Sequence, residues 1–152
     1  MAPGTYLENI DFIGKAVTLQ SIGGSSVTAI DGNQAGSVVV FGNGEGPDSV
    51  LDGFTLMNGT GTGQFGGGIF CYGASPTIRN NRFTGNTAIY GGGIYCLSLS
   101  APMITNNLFT GNTAMSGGGI YCSWSSPGIM NNTLTGNHAD NGGGVYCSWS
   151  SL

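Results

Sequence analysis

Four cysteines, one histidine and seven carboxylates are the side chains of this 152-residue sequence best suited to do chemistry. Zinc of the Cys/His type needs ligands in closely spaced pairs. Cys71, Cys96, Cys122 and Cys147 stand far apart, no Cys-x-x-Cys occurs, and His138 is alone. No metal site and no cofactor are indicated. Work on a glycosidic bond needs two carboxylates about 5–9.5 Å apart. From Phe83 to Leu152 the only fully charged residue is Asp140, so no acid pair forms there. The other acids are Glu8, Asp11, Asp31, Glu45, Asp48 and Asp52. Asp31 and Asp52 fall in Ile-Asp-Gly and Leu-Asp-Gly turns, where aspartate commonly bonds its own backbone. His138 precedes Asp140 by two residues, but no nucleophile is indicated beside it. Cysteines facing a core are inert. No catalytic residue is assigned, and the chain is expected not to be an enzyme.

Binding is the remaining chemistry. Phe70, Tyr95, Tyr121 and Tyr146 recur at one place in a repeated phrase and read as an outward stripe of rings. Such rings offer a platform for sugars, or stack on one another and stabilise a sheet. Arg79 and Arg82 flank Asn80-Asn81 and are expected to point outward. They read as carboxylate-polymer ligands or as solubilising charges. Thr84, Thr110 and Thr135, with Thr87 and Thr113, form an array that would suit ice, but His138 interrupts it.

These residues recur because the chain repeats. GGGIFC stands at 66–71, GGGIYC at 91–96 and 117–122, and GGGVYC at 142–147. Between them run PTIRNNRFTGNTA at 76–88, PMITNNLFTGNTA at 102–114 and PGIMNNTLTGNHA at 127–139. The second repeat is one residue longer between Cys96 and Pro102, which marks a loop. Helix is excluded: glycine costs about 1 kcal/mol per interior helical position, and Asn-Asn and Thr-Gly-Asn are turn steps. Short alternating strands at a constant period predict a coil stacked on itself at about 4.8 Å per layer.

Stacking sets like residues in ladders. The apolar ones are Ile69–Ile94–Ile120–Val145, Ile78–Ile104–Ile129, Phe83–Phe109–Leu134 and Ala88–Ala114–Ala139, with the four cysteines alongside. In-register cysteines fall in Cα range for disulfides, but their parallel side chains favour buried thiols. Asn81, Asn107 and Asn132 form a corner ladder whose amides bond between coils. Glycine triplets supply a corner where φ > 0 is cheap. Residues 1–65 continue the design irregularly. SVLDGFTLMNG at 49–59 aligns with PTIRNNRFTGN, setting Leu51 over Ile78 and Leu56 over Phe83.

Other classes fall away. A net charge of −4 does not suit nucleic acid. No apolar run approaches the ~20 residues of a membrane-spanning helix. The L-x-x-L-x-L of leucine-rich repeats is absent, and GGGIYC lacks the aspartate of calcium-binding rolls. MAPGTYLENI has neither the basic nor the apolar region of a signal peptide.

APGTYLENIDFIGKAVTLQS at 2–21 resembles the opening coil of right-handed parallel β-helices of the pectin lyase-like superfamily. The PTIRNNRFTGNTA–GGGIYC unit resembles the repeat of large secreted or cell-surface bacterial proteins. The resemblance implies an all-β, right-handed parallel β-helix of about six coils of about 25 residues. It spans 1–152 as one domain, irregular over 1–65 and regular over 66–152. No capping sequence is found, so the chain reads as a segment of a longer solenoid. The expected function is a non-catalytic scaffold or adhesion-type module that self-associates through its ends. The alternatives are a fragment of a polysaccharide-active enzyme and a carbohydrate-binding module using Phe70, Tyr95, Tyr121 and Tyr146.

Overall fold

Turn signals cut each repeat into three or four short strands. In one repeat Ile94–Leu97 follows the glycines, Met103–Thr105 follows a serine-rich loop, and Leu108–Thr110 follows the asparagine corner. The first asparagine of each corner, Asn80, Asn106 or Asn131, has φ of 57°, 57° or 56°. That left-handed region is one asparagine visits more readily than most residues, and it turns the chain in a single step.

A computed structural model describes residues 1–150. Within them the chain winds as a parallel β-solenoid of about six turns, with no helix among the described residues. One sheet stacks Gly4–Leu7, Thr28–Asp31, Thr55–Met57, Arg82–Thr84, Leu108–Thr110 and Thr133–Thr135. A second stacks Ile10–Asp11, Val39–Phe41, Ile69–Tyr72, Ile94–Leu97, Ile120–Ser123 and Val145–Ser148. A third stacks Thr18–Gln20, Val50–Asp52, Thr77–Arg79, Met103–Thr105 and Gly128–Met130. Thr113–Ser116 and His138–Asn141 form a short fourth ladder.

The expected register holds. Ile94 pairs with Ile69 and Ile120, and Ile120 with Val145. Ile104 pairs with Ile78 and Ile129. Phe109 pairs with Phe83 and Leu134, and the Phe83 and Phe109 rings stack with centroids 4.5 Å apart. Leu51 lies over Ile78 and Leu56 over Phe83, so the irregular coils share the same core. Ile69, Ile78, Phe83, Ile94, Ile104, Phe109 and Ile120 are fully buried, and their counterparts in the last coil, Ile129, Leu134 and Val145, pack partly buried against them.

The glycine triplets serve two physical needs. Gly66, Gly91, Gly117 and Gly142 have φ between 58° and 67° and make the corner. The third glycine is there for space. A Cβ on Gly93 would sit 2.5 Å from the Gly119 carbonyl oxygen and 2.7 Å from Cδ1 of Phe109. Phenylalanine in the core and glycine opposite it are one packing unit. The extra residue of the second repeat is absorbed by two consecutive left-handed residues, Ser98 and Leu99, at φ 58° and 60°.

Candidate functional site

Most chemistry-bearing side chains of the coils are engaged in holding one coil to the next. Asn81, Asn107 and Asn132 form the expected ladder. A second one, Asn86–Asn112–Asn137, runs at the Thr-Gly-Asn step, where sequence reasoning saw only a turn. In it the Asn86 amide donates to Oδ1 of Asn112 at 3.0 Å and to the Leu56 carbonyl at 3.0 Å. The once-per-repeat recurrence of that asparagine was the signal.

The four cysteines are free thiols; Cys71, Cys96 and Cys122 are buried and Cys147 is half-buried. Burial pushes the Cys71 thiol up to about 12, against a weak lowering by the Ser100 hydroxyl. The hydrogen bond with Cys122, together with complete burial, holds Cys96 protonated well above the ordinary thiol range. Cys71 and Cys96 are therefore poor nucleophiles, since the thiolate is the reactive form, whereas the hydrogen bond with Cys96 lowers Cys122.

The carboxylates are mostly tied down. Asp52 is buried and accepts from Nε of Arg79 at 3.0 Å, Nδ2 of Asn80 at 2.8 Å and Nε2 of Gln20 at 3.2 Å. It therefore bonds three neighbouring side chains rather than its own turn, and Arg79, which points outward as expected, pairs with it at the surface. Asp31 accepts from the Asn33 backbone, as its turn suggested, and also from Nδ2 of Asn58. Glu45 is buried and takes the backbone N–H groups of Gly14 at 2.8 Å and Asn43 at 2.9 Å. Asp11 accepts from the Ile13 backbone. Glu8, Asp48 and Asp140 are exposed and belong to different coils. Among the described residues no three His, Cys, Asp or Glu side chains gather as metal ligands would.

The aromatic stripe is present but largely covered. Phe70, Tyr95, Tyr121 and Tyr146 occupy one column of the second sheet. Tyr95 and Tyr121 are only 6% and 9% exposed, because Phe65 and Tyr90 pack over them. Phe65 lies 5.5 Å from Tyr95 and Tyr90 lies 5.0 Å from Tyr121, centroid to centroid. Burial raises the phenol pKa of both tyrosines. Only Phe70 and Tyr146, toward the ends of the stripe, retain appreciable surface. The arrangement favours ring-on-ring packing over a flat sugar platform.

Sequence reasoning missed the exposed indoles. Trp124 and Trp149 stand at the same place in successive coils, 59% and 76% exposed. Their rings are stacked 5.5 Å apart at 9°. Both have left-handed backbones, φ 50° and 56°, where an earlier coil has Gly73 at 58°. A bulky residue held there costs on the order of 1–3 kcal/mol. With Leu99, Ser125, Ser126 and Ser150 they line an open groove of about 450 Å³. The signal was the repeated Cys-Ser-Trp-Ser-Ser phrase at 122–126 and 147–151. A larger polar groove, about 730 Å³, runs past Asn80, Asn106, Asn131, Arg82 and Thr133.

Stacked parallel strands with internal asparagine ladders define a β-solenoid. The family described as right-handed β-helix region matches residues 14–151, and the chain belongs to it. That fold is consistent with the pectin lyase-like superfamily. No curated protein and no solved structure matches the chain.

Proposed function

We propose that the chain is a non-catalytic scaffold or adhesion-type module of a secreted or cell-surface protein, extended by stacking coil on coil. One observation carries the reading: the polar and reactive side chains of the regular coils hold the stack together. Two asparagine ladders bond coil to coil, three of the four thiols are buried, and in the adjoining irregular coils Asp52 is likewise held by three neighbours. The rival reading is a fragment of a polysaccharide-active enzyme. Incubation with pectin, polygalacturonate and neutral glucans, followed for reducing ends and unsaturated uronates, decides between them. The scaffold releases nothing; cleavage that Asp52→Asn or Asp140→Asn abolishes would overturn it.

The polypeptide 1–152 itself associates end to end under this reading. Thr133–Thr135, Gly128–Met130 and Val145–Ser148 are edge strands at one face of the stack, and Gly4–Leu7, Ile10–Asp11 and Thr18–Gln20 at the other. Leu7, Ile13 and Val17 are exposed on the first coil. Unpaired parallel edges with apolar neighbours invite another chain. Light scattering across a concentration series tests this: growth of mass with concentration is expected, and a constant monomer mass counts against it.

A further inference from the structure

We propose that the groove lined by Trp124 and Trp149 binds an uncharged polysaccharide. The inference goes beyond the scaffold reading and does not depend on it. Three independent features point to the indoles being kept for a ligand. They contribute little to the core, since both are mostly exposed while every apolar ladder beneath them is filled by other residues. They hold a left-handed backbone that glycine occupies without strain at Gly73 of an earlier coil. They recur in register, so the coil stacking that orders the core also stacks these rings at 5.5 Å.

The lining selects the chemistry of the ligand. Leu99, Trp124, Ser125, Ser126, Trp149 and Ser150 carry no charge. Between Leu97 and Ser150 the only fully charged residue is Asp140, on His138–Asn141 in a different sheet. An acidic polymer or an anionic lipid surface would find no cation there. The apolar surface of the indoles is interrupted by serines. Aromatic rings offering an apolar body beside hydroxyl groups suit a sugar ring, which has an apolar C–H face and a rim of hydroxyls. The Ser150 hydroxyl already accepts from the Ser125 backbone at 3.2 Å, which fixes the floor of the groove.

The chain has only two tryptophans, so its indole emission reports this groove and nothing else. The intact chain is titrated with soluble xylan, mixed-linkage β-glucan and galactomannan, with polygalacturonate as the acidic comparison. A saturable blue shift with at least one neutral polymer and none with polygalacturonate is expected. In affinity electrophoresis Trp149→Ala should weaken binding roughly tenfold or more. Trp124→Gly should also lose binding while keeping or raising the urea midpoint, because glycine relieves the backbone. Tyr146→Ala should bind as the parent does. The proposal is overturned if no neutral polymer shifts the emission, or if polygalacturonate shifts it equally. It is likewise overturned if the shift appears only together with a growth in mass by light scattering and never at constant mass, which would mean that a second copy rather than the polymer covers the indoles. Retained binding in both tryptophan variants would overturn it too.

Discussion

Asn81 donates twice to a single oxygen of Asn107: its backbone N–H reaches Oδ1 at 2.9 Å and its side-chain amide reaches the same atom at 3.2 Å. Asn107 repeats the arrangement onto Asn132, at 2.8 and 3.0 Å, and donates back to the Ile78 carbonyl at 3.0 Å. Each amide thus satisfies groups in two neighbouring coils, and the ladder is polarised along its length.

Removing a middle amide should therefore cost more than one hydrogen bond. Asn107→Ala leaves the Asn81 N–H and the Ile78 carbonyl buried without these partners. At about 1–3 kcal/mol for each orphaned group, the loss should be roughly 3 kcal/mol. Asn132→Ala should cost less, because that corner is half-buried and water replaces the amide. Urea unfolding of the two variants checks the order. Equal, small losses would mean that the ladder follows the fold rather than stabilising it.

The coil period, the apolar ladders and the first asparagine column were legible because a parallel stack puts like on like. The alignment of 49–59 with 76–86 even set Asp52 against Arg79, the pair the structure joins. The pairing went unread because Leu-Asp-Gly has a local explanation in turn chemistry. Asn86, Asn112 and Asn137 were lost in the same way inside Thr-Gly-Asn. Glu45 was beyond reach: its partner Gly14 is 31 residues away in an irregular coil, and no period predicts that contact. Tyr95 and Tyr121 were placed in the right column, but Phe65 and Tyr90, which cover them, lie outside the repeated phrase.

The two uses of glycine separate by substitution. Gly93→Ala drives a methyl group into the Gly119 carbonyl and the Phe109 ring. Neither can yield without shifting a coil, so the variant should fail to fold or lose more than about 3 kcal/mol. Gly111→Ala meets nothing within 4 Å but must hold φ at 65°. It should cost only about 1–2 kcal/mol, the penalty of a left-handed alanine. Expression yield and the urea midpoint distinguish them; a benign Gly93→Ala would contradict the close packing of coil against coil.

The thiol column makes the fold sensitive to alkali. Cys71 rises from an ordinary 9.0 to about 12, chiefly through burial. Its folded form keeps the proton that the unfolded chain releases. The contribution is fully present below about pH 9 and is lost as pH climbs from there toward 12. The slope is about 1.4 kcal/mol per pH unit for one such group. Urea midpoints at about pH 8 and about pH 10 should therefore fall in the parent and fall less in Cys71→Ala. An identical fall in both would assign the alkaline loss elsewhere, first to Cys96 and Cys147, which are also raised, and then to Tyr95 and Tyr121.

Asp52 offers the sharpest separation of structure from catalysis. Its carboxylate receives three side-chain donors from the two flanking coils, Gln20 from one and Arg79 and Asn80 from the other. Asp52→Asn keeps the shape but removes the charge that Arg79 meets at 3.0 Å, and it places an amide where some donors stood. Hydrogen bonds to charged groups contribute about 1.5–3 kcal/mol each in favourable cases. Arg79 is nearly half exposed, so solvent takes back part of its share. A net loss of about 1–2 kcal/mol is expected, and Arg79→Ala should lose less, since Gln20 and Asn80 still hold the carboxylate. In a double-mutant cycle the two losses should not add, because they remove one contact. Strict additivity would mean that Asp52 acts through Gln20 and Asn80 alone and that the ion pair contributes nothing to the stack.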